Sequence, residues 1–421
     1  MRLRTFNINY NLTDMKRRNL IKNLTILPAA GAVFGSLIPF NKAAASPVAA
    51  IAAPKRNLLK ELGVRTFINA RGTITAISGS IMHDYVLDAI RNSSKEFCLI
   101  DELQDKAGAK IAEMVHAEAA MVTAGCWSAM VLGTAGVLTG MDTKKVAQLP
   151  NLEGMKSEVL VQKTHNHGYS HALKNAGVTL VEVETPDDVE KAVSSKTAMM
   201  WFLNYAGPNG KITHEEWVAL GKRFGIPTMI DIAADVPPVE NLWKYNDMGF
   251  DLVCISGGKG IRGPQSAGLL MGKKDLIAAA RLSAPPRGGN IGRGMKVNKE
   301  EILGMYIALE MYINRDHEKE WKMWEGRVAA IENAVKNIDG VTTSVHIPPV
   351  ANHTPTLNIS WSPEKIKISA NELLEALSNG NPSIEANGGR GSITVAPWQM
   401  ISGQEKIVAS RIREELLKAS V

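Results

Sequence analysis

Cysteine is scarce in this chain, with three in 421 residues, at Cys98, Cys126 and Cys254. Thiols so few and so scattered exclude a disulfide framework, and Cys126 and Cys254, set among small or apolar neighbours, read as small buried side chains. Long apolar runs are also missing once the first 45 residues are passed. Nothing later approaches the roughly 18 apolar residues that a membrane span needs, so the body of the chain is expected to be soluble. An excess of one charge is absent there too. Seven basic residues (Arg2, Arg4, Lys16, Arg17, Arg18, Lys22, Lys42) against Asp14 account for the whole chain's net +6, which leaves the remainder neutral. A neutral body gives no electrostatic reason to expect a nucleic-acid partner.

What the first 45 residues do contain is the order of an export signal. A basic stretch, Lys16 to Lys22, is followed by an apolar run from Leu24 to Phe40 and by small residues at Ala43 to Ala45. Arg17 and Arg18, with Leu20, Ile21 and Lys22 behind them, resemble the twin-arginine pattern, although Lys16 stands where Ser or Thr is usual. Pro28 and Pro39 count against an uncleaved membrane anchor. The expectation is a signal over residues 1–45 and an exported, periplasmic protein.

The stretch that organises the rest is Asp251 to Gly268, DLVCISGGKGIRGPQSAG. Leu252 to Ile255 reads as a buried strand, and Lys259 follows it among Gly257, Gly258 and Gly260, on tightly turning backbone at a strand's carboxyl end. A lysine held there can serve as a Schiff-base nucleophile once its amine is deprotonated; a solvated loop lysine is the competing reading. Asp231 ends an apolar run 28 residues earlier. One strand, crossover helix and next strand fill that interval, so both residues fall on one sheet edge. A lysine to hold an aldehyde and an acid to keep a pyridine nitrogen protonated suggest pyridoxal phosphate, although Asp231 alone also suits a helix N-cap. Ala233, two residues on, shares a face with Asp231 and can pack under a ring. Upstream, Ala119 to Val122 runs into Thr123, Ala124, Gly125 and Cys126 and then a helical pattern, the arrangement in which backbone N–H groups bind phosphate.

Taken together, these motifs resemble the fold-type-I pyridoxal-phosphate enzymes, in the branch holding selenocysteine synthase (seryl-tRNA selenium transferase) and D-glucosaminate-6-phosphate ammonia-lyase. The resemblance runs from about Leu58 to the C-terminus. It is carried by INARGTIT from Ile68, DELQDKAGAKIAEM from Asp101, EAAMVTAGCWSAM from Glu118, DIAADVPPVENL from Asp231, SGGKGIRGPQSAGLLMGKKDLI from Ser256 and IGRGMKVNKEEILG from Ile291. It implies that Lys259 holds the cofactor, that Asp231 partners its pyridinium, and that Gly125, Cys126 and Trp127 contact its phosphate, with Ser256 on the cofactor side. The residue against the ring is left open among His165, His167 and Tyr169. His167 and His171, at i and i+4, also permit a metal reading, but no further ligand lies near, and no metal is expected. Asn69, Arg71, Tyr169, Arg293, Lys296 and Arg390 are the substrate-side candidates, Arg390 because a guanidinium suits a carboxylate. Asn204 and Tyr205 stand at the end of a further strand.

The expected fold is α/β, a mainly parallel seven-stranded-type sheet with helices on both faces plus a smaller C-terminal α+β domain. The expected segments are a linker and N-terminal segment over 46–80, a large cofactor domain over 81–298 and a small domain over 299–421. The expected chemistry is α-proton removal by Lys259 and β-elimination on a hydroxy-amino acid or amino-sugar acid, giving a 2-keto acid. A selenocysteine-synthase-like transferase, an aminotransferase and a non-catalytic binding protein are the alternatives. The resemblance also implies a homodimer or higher homo-oligomer.

Overall fold

The computed structural model describes residues 56–421, so the expected export signal lies outside the described residues. Strand β1 (Phe67–Ala70) comes first and is used far from its chain neighbours. The next seven strands are β2 (Ala119–Thr123), β3 (Glu158–Gln162), β4 (Thr179–Val183), β5 (Thr197–Leu203), β6 (Thr228–Asp231), β7 (Leu252–Ser256) and β8 (Gly268–Gly272). They form one sheet in the order β2-β8-β7-β6-β5-β3-β4. Strands β4, β3, β5, β6 and β7 are parallel, and β8 runs antiparallel to both β7 and β2.

Both faces of this sheet are covered, which is why its strands read as unbroken apolar runs. All seven residues of β5 are buried. Along it, Met200 and Phe202 enter one core with Leu160, Ile230 and Val253, while Met199, Trp201 and Leu203 enter the other with Val161, Met229 and Cys254. Each large side chain so buried contributes about 2–3 kcal/mol. Edge strand β4 has a half-exposed pattern with Thr179 and Glu182 outward, and its apolar signal is correspondingly weak.

The second sheet has five strands in the order β1-β11-β12-β10-β9, built from β9 (Val341–His346), β10 (Thr356–Trp361), β11 (Ser383–Gly389), β12 (Ser392–Val395) and the early strand β1. Strand β1 lies parallel to β11, with Asn69 opposite Glu385, so the N-terminal segment adds its strand to the C-terminal layer. The helices His317–Val335, Ala370–Ser378 and Gln404–Lys418 cover that layer through Val328, Ile331, Leu373, Val408 and Ile412. The sequence boundary at 298/299 needs correction. Helix Lys299–Ile313 buries Ile302, Met305 and Leu309 in the core of the seven-stranded layer. The chain crosses over at 314–316, where Asp316 accepts from the Lys319 amide at 2.9 Å and starts the next helix. No helix among the described residues is long and apolar enough to cross a membrane.

Candidate functional site

Because β2, β3, β5, β6 and β7 point the same way, the loops at their carboxyl ends share one edge of the sheet, where open α/β folds place ligands. A cavity of ≈ 370 Å³ lies there, within the 300–1,000 Å³ usual for small-molecule sites. Lys259 lines it from the turn after β7, and Asp231 from the last position of β6, hydrogen-bonded in register with Cys254. Gly260 lets that turn close up: a Cβ there would sit 2.0 Å from the Val236 carbonyl oxygen. No side chain larger than hydrogen fits this approach.

Asp231 is 3% exposed. Its Oδ1 accepts the Ala233 amide at 2.9 Å and the Cys126 thiol at 3.3 Å. Oδ2 has no hydrogen-bond partner among the described residues. Burial raises the carboxyl's pKa, opposed by the Ala233 amide, Cys126 and nearby Lys259. Burial and Asp231 likewise push the Cys126 thiol well up, which keeps it an S–H donor. A buried carboxylate with one oxygen pinned and one free fits a protonated ring nitrogen, the partner a pyridine cofactor brings. Cys126 also ties Asp231 to the turn after β2. There Gly125 takes φ +79°, and no side chain caps the helix Gly125–Thr139, so its first-turn N–H groups are available to an anion.

Above the cavity stands an aromatic rim of exposed His167, Tyr169 and Tyr205; the His167 ring lies 5.6 Å from Tyr169 and 6.4 Å from Tyr205. His165 goes elsewhere. It is fully buried, edge-on to Phe202 at 4.4 Å, with Nδ1 accepting the Leu203 amide, so it packs behind the strands instead of lining the cavity. His171 opens a short helix, stacks on Trp127 at 6.4 Å and does not line the cavity. Ala233 lines the cavity. Ser256 is half-buried at the end of β7.

Five of the six substrate-side candidates stand away from the lining, and only Tyr169 is part of it. Asn69 holds its own turn, accepting from the Arg71 and Gly72 amides, and Arg71 reaches Asn387 of β11 at 2.9 Å. Arg293, Lys296 and Arg390 are exposed on loops and do not line the cavity. The turn residues Gly125, Cys126 and Trp127 do not line it either, and Cys126 is tied to it only through its hydrogen bond to Asp231.

Residues not foreseen as site residues fill the remaining wall. Asp235 is 3% exposed; its Oδ1 accepts the Ala351 amide at 2.8 Å and its Oδ2 the Asn204 side-chain amide at 3.0 Å. Asn204 Oδ1 in turn accepts from His214 Nε2 at 2.6 Å. Burial pushes the Asp235 carboxyl up to about 6. Ala351 and Asn352 take φ of 54° and 49°, a left-handed pair held by the Asn352 amide on the Ala234 carbonyl and by Asn352 Oδ1, which accepts from Thr73. Backbone strain of that kind collects at ligand sites. The sequence signals for these were the second acid of DIAAD and the place of Asn204 at the active-site end of its strand; Asn204 and His214 stand behind the lining and support Asp235. A separate cavity of ≈ 360 Å³ near the C-terminus is lined by Asn333, Asp339, Lys365 and Arg413. There Lys365 is already paired with Asp339.

The family model for L-seryl-tRNA selenium transferase matches residues 67–323. D-glucosaminate-6-phosphate ammonia lyase of Salmonella typhimurium is 25% identical over 372 residues, 85% of this chain and 97% of that protein. A 5'-C-glycyluridine monooxygenase-decarboxylase of a Streptomyces species is 27% identical over 374 residues, 85% of this chain and 92% of that protein. Among solved structures, a D-glucosaminate-6-phosphate ammonia-lyase superposes with a TM-score of 0.76 at 24% identity, covering 87% of this chain and all of the other.

Proposed function

The chain belongs to the L-seryl-tRNA selenium transferase family, and from that membership we propose a pyridoxal-phosphate-dependent ammonia-lyase acting on a β-hydroxy amino acid or an amino-sugar acid. The fold is that of the fold-type-I pyridoxal-phosphate enzymes, and pyridoxal phosphate is the cofactor. The similarity to the Salmonella ammonia lyase over nearly all of that protein supports lyase chemistry. The observation that carries the proposal is the pairing of Lys259 and Asp231 across one cavity, the acid buried with a single oxygen still free.

Lys259 and Asp231 would hold the cofactor's aldehyde and ring nitrogen, and the uncapped turn at Gly125 its phosphate. When bound, the cofactor supplies the electron sink for the bond pair left at the α-carbon. Asp231 would keep a proton at the ring nitrogen, and the Lys259 amine would take the α-proton as general base. The substrate's β-hydroxyl leaves as water, and hydrolysis of the resulting imine yields a 2-keto acid and ammonia. The rim of His167, Tyr169 and Tyr205 bounds the side where the substrate's tail must lie.

The test is ammonia and 2-keto-acid release from β-hydroxy amino acids and 2-amino-2-deoxy aldonic acids, with and without a phosphate ester. Activity only when a keto-acid acceptor is added would make the protein an aminotransferase. The family match also admits selenium transfer to seryl-tRNA, which the neutral body of the chain disfavours; tight, specific tRNA binding in a gel shift would reverse that preference.

Two further features complete the proposal. Residues 1–45 act as a twin-arginine-type signal and the enzyme works outside the cytoplasm; retention in the cytoplasm of wild type and an Arg17→Lys, Arg18→Lys double variant alike would refute this. The enzyme is also a homo-oligomer. Ile81, Phe97 and Leu99 are 65%, 105% and 73% exposed, apolar side chains that a second copy would cover. A monomeric mass in light scattering would exclude it.

A further inference from the structure

Beside the Lys259 turn, around a void that shares no lining residue with the active-site cavity, three arginines converge with a single carboxylate. A void of ≈ 60 Å³ is lined by Arg262, Arg315, Arg327 and Glu320, together with Gly260 and Tyr312. Arg327 is 8% exposed, and its one side-chain hydrogen bond among the described residues runs from Nη1 to the Pro397 carbonyl at 3.3 Å. Arg262 reaches only neutral groups, His83 Nε2 at 3.5 Å and Gln399 Oε1 at 3.3 Å. Arg315 pairs through Nη1 with Glu320 at 3.0 Å, leaving Nε and Nη2 without partners, and its guanidinium lies over the Tyr312 ring at 4.6 Å. The hydroxyl of Tyr312, 2% exposed, is also unpartnered.

Buried charges are ordinarily paired, because an unpaired ion out of water is costly. Here neither Arg262 nor Arg327 has an ion pair among the described residues, and the guanidinium donors far outnumber the acceptors offered. The positive field is felt nearby: burial, then Arg262 and Arg315, push His83 down to about 4, so it stays neutral and adds no further charge. Glu405 also acts on Arg327, but it does not line the void.

We propose that this arginine-lined void is a binding site for a small oxyanion, a phosphate, sulfate or carboxylate group, separate from the cofactor cavity. Planar guanidiniums match such groups with paired charge-assisted hydrogen bonds. An anion here would brace the catalytic turn, since the Arg262 amide donates to the Lys259 carbonyl at 3.1 Å and Arg262 holds φ 59°.

The experiment is titration of the full, cofactor-loaded protein with inorganic phosphate, sulfate and methyl phosphate, followed by thermal unfolding and calorimetry against chloride of equal ionic strength. With the cofactor in place its own phosphate position is filled. Wild type should show saturable binding, Arg315→Gln at least a tenfold weaker affinity, and Glu320→Gln, which removes the competing carboxylate, a several-fold tighter one. Binding of methyl phosphate as well as phosphate would mark the anionic end of a larger molecule, and phosphate alone a free ion. Equal responses in wild type and both variants, or none beyond the chloride control, would overturn the site. Should Arg315→Gln fail to fold, an unchanged affinity in Glu320→Gln does so by itself.

Discussion

At the residue scale, the pair that governs the chemistry is also the pair most exposed to test. Lys259→Ala should remove the visible absorbance band of the cofactor-loaded protein, and Asp231→Asn should keep the band but lower kcat by about 10²–10⁴-fold, because an amide no longer holds a proton at the ring nitrogen. Full activity in Asp231→Asn would detach the acid from its assigned role. Two buried groups also set the response to acid. Asp235 is pushed from 3.8 up to about 6, so its contribution to stability is present below its unfolded value and lost as pH rises to about 6. His165, pushed by burial and His214 from 6.5 down to about 4, contributes above its unfolded value and loses that contribution as pH falls to about 4. Each amounts to about 3 kcal/mol at most, and between pH 4 and 6 they largely offset one another. Urea unfolding against pH should therefore show Asp235→Asn losing stability with acid more steeply than wild type, and His165→Gln less steeply. Parallel curves for all three proteins would contradict the argument.

At the scale of single elements, the helix starts and the turns carry separable contributions. Asn298 accepts the Glu301 amide at 2.8 Å while Glu301 reaches back to the Asn298 amide at 2.9 Å, a reciprocal cap on the helix whose Met305 packs against Gly257 and Gly263 of the lysine turn. Asn298→Ala should cost about 1 kcal/mol of stability, read from urea denaturation, and an unchanged midpoint would show that the cap contributes nothing. The Lys259 turn behaves differently. Gly260→Ala forces a Cβ onto the Val236 carbonyl at 2.0 Å, so it should lower both Tm and kcat; a loss in Tm alone would show that the turn yields without moving Lys259.

At the scale of the whole molecule, the active-site cavity is completed by the five-stranded layer. The left-handed pair Ala351 and Asn352 comes from the segment between β9 and β10, yet it holds Asp235, the Ala234 carbonyl and Thr73. Asn352→Ala should raise KM and lower kcat several-fold while the cofactor band persists, since Lys259 and Asp231 are untouched. A loss of cofactor would instead make this contact part of the cofactor's seat.

What the sequence by itself determined is whatever depends on local order. Alternation of apolar residues between two buried faces marks β5, β6 and β7, and glycines around Lys259 together with the 28-residue interval back to Asp231 place both on one sheet edge. Composition hides other elements: β11 is SIEANGG, poor in strand-forming residues, and becomes a strand only because β1 and β12 pair with it. Tertiary structure alone decided which of three candidates beside the ring sink into the core, sending His165 behind Phe202 and leaving His167 and Tyr169 at the rim. It alone brought Asp235, Asn204 and Asn352 together, and Arg262 beside Arg315 and Arg327. Such contacts join residues far apart in the chain, and only the packing of one layer on another brings them within reach.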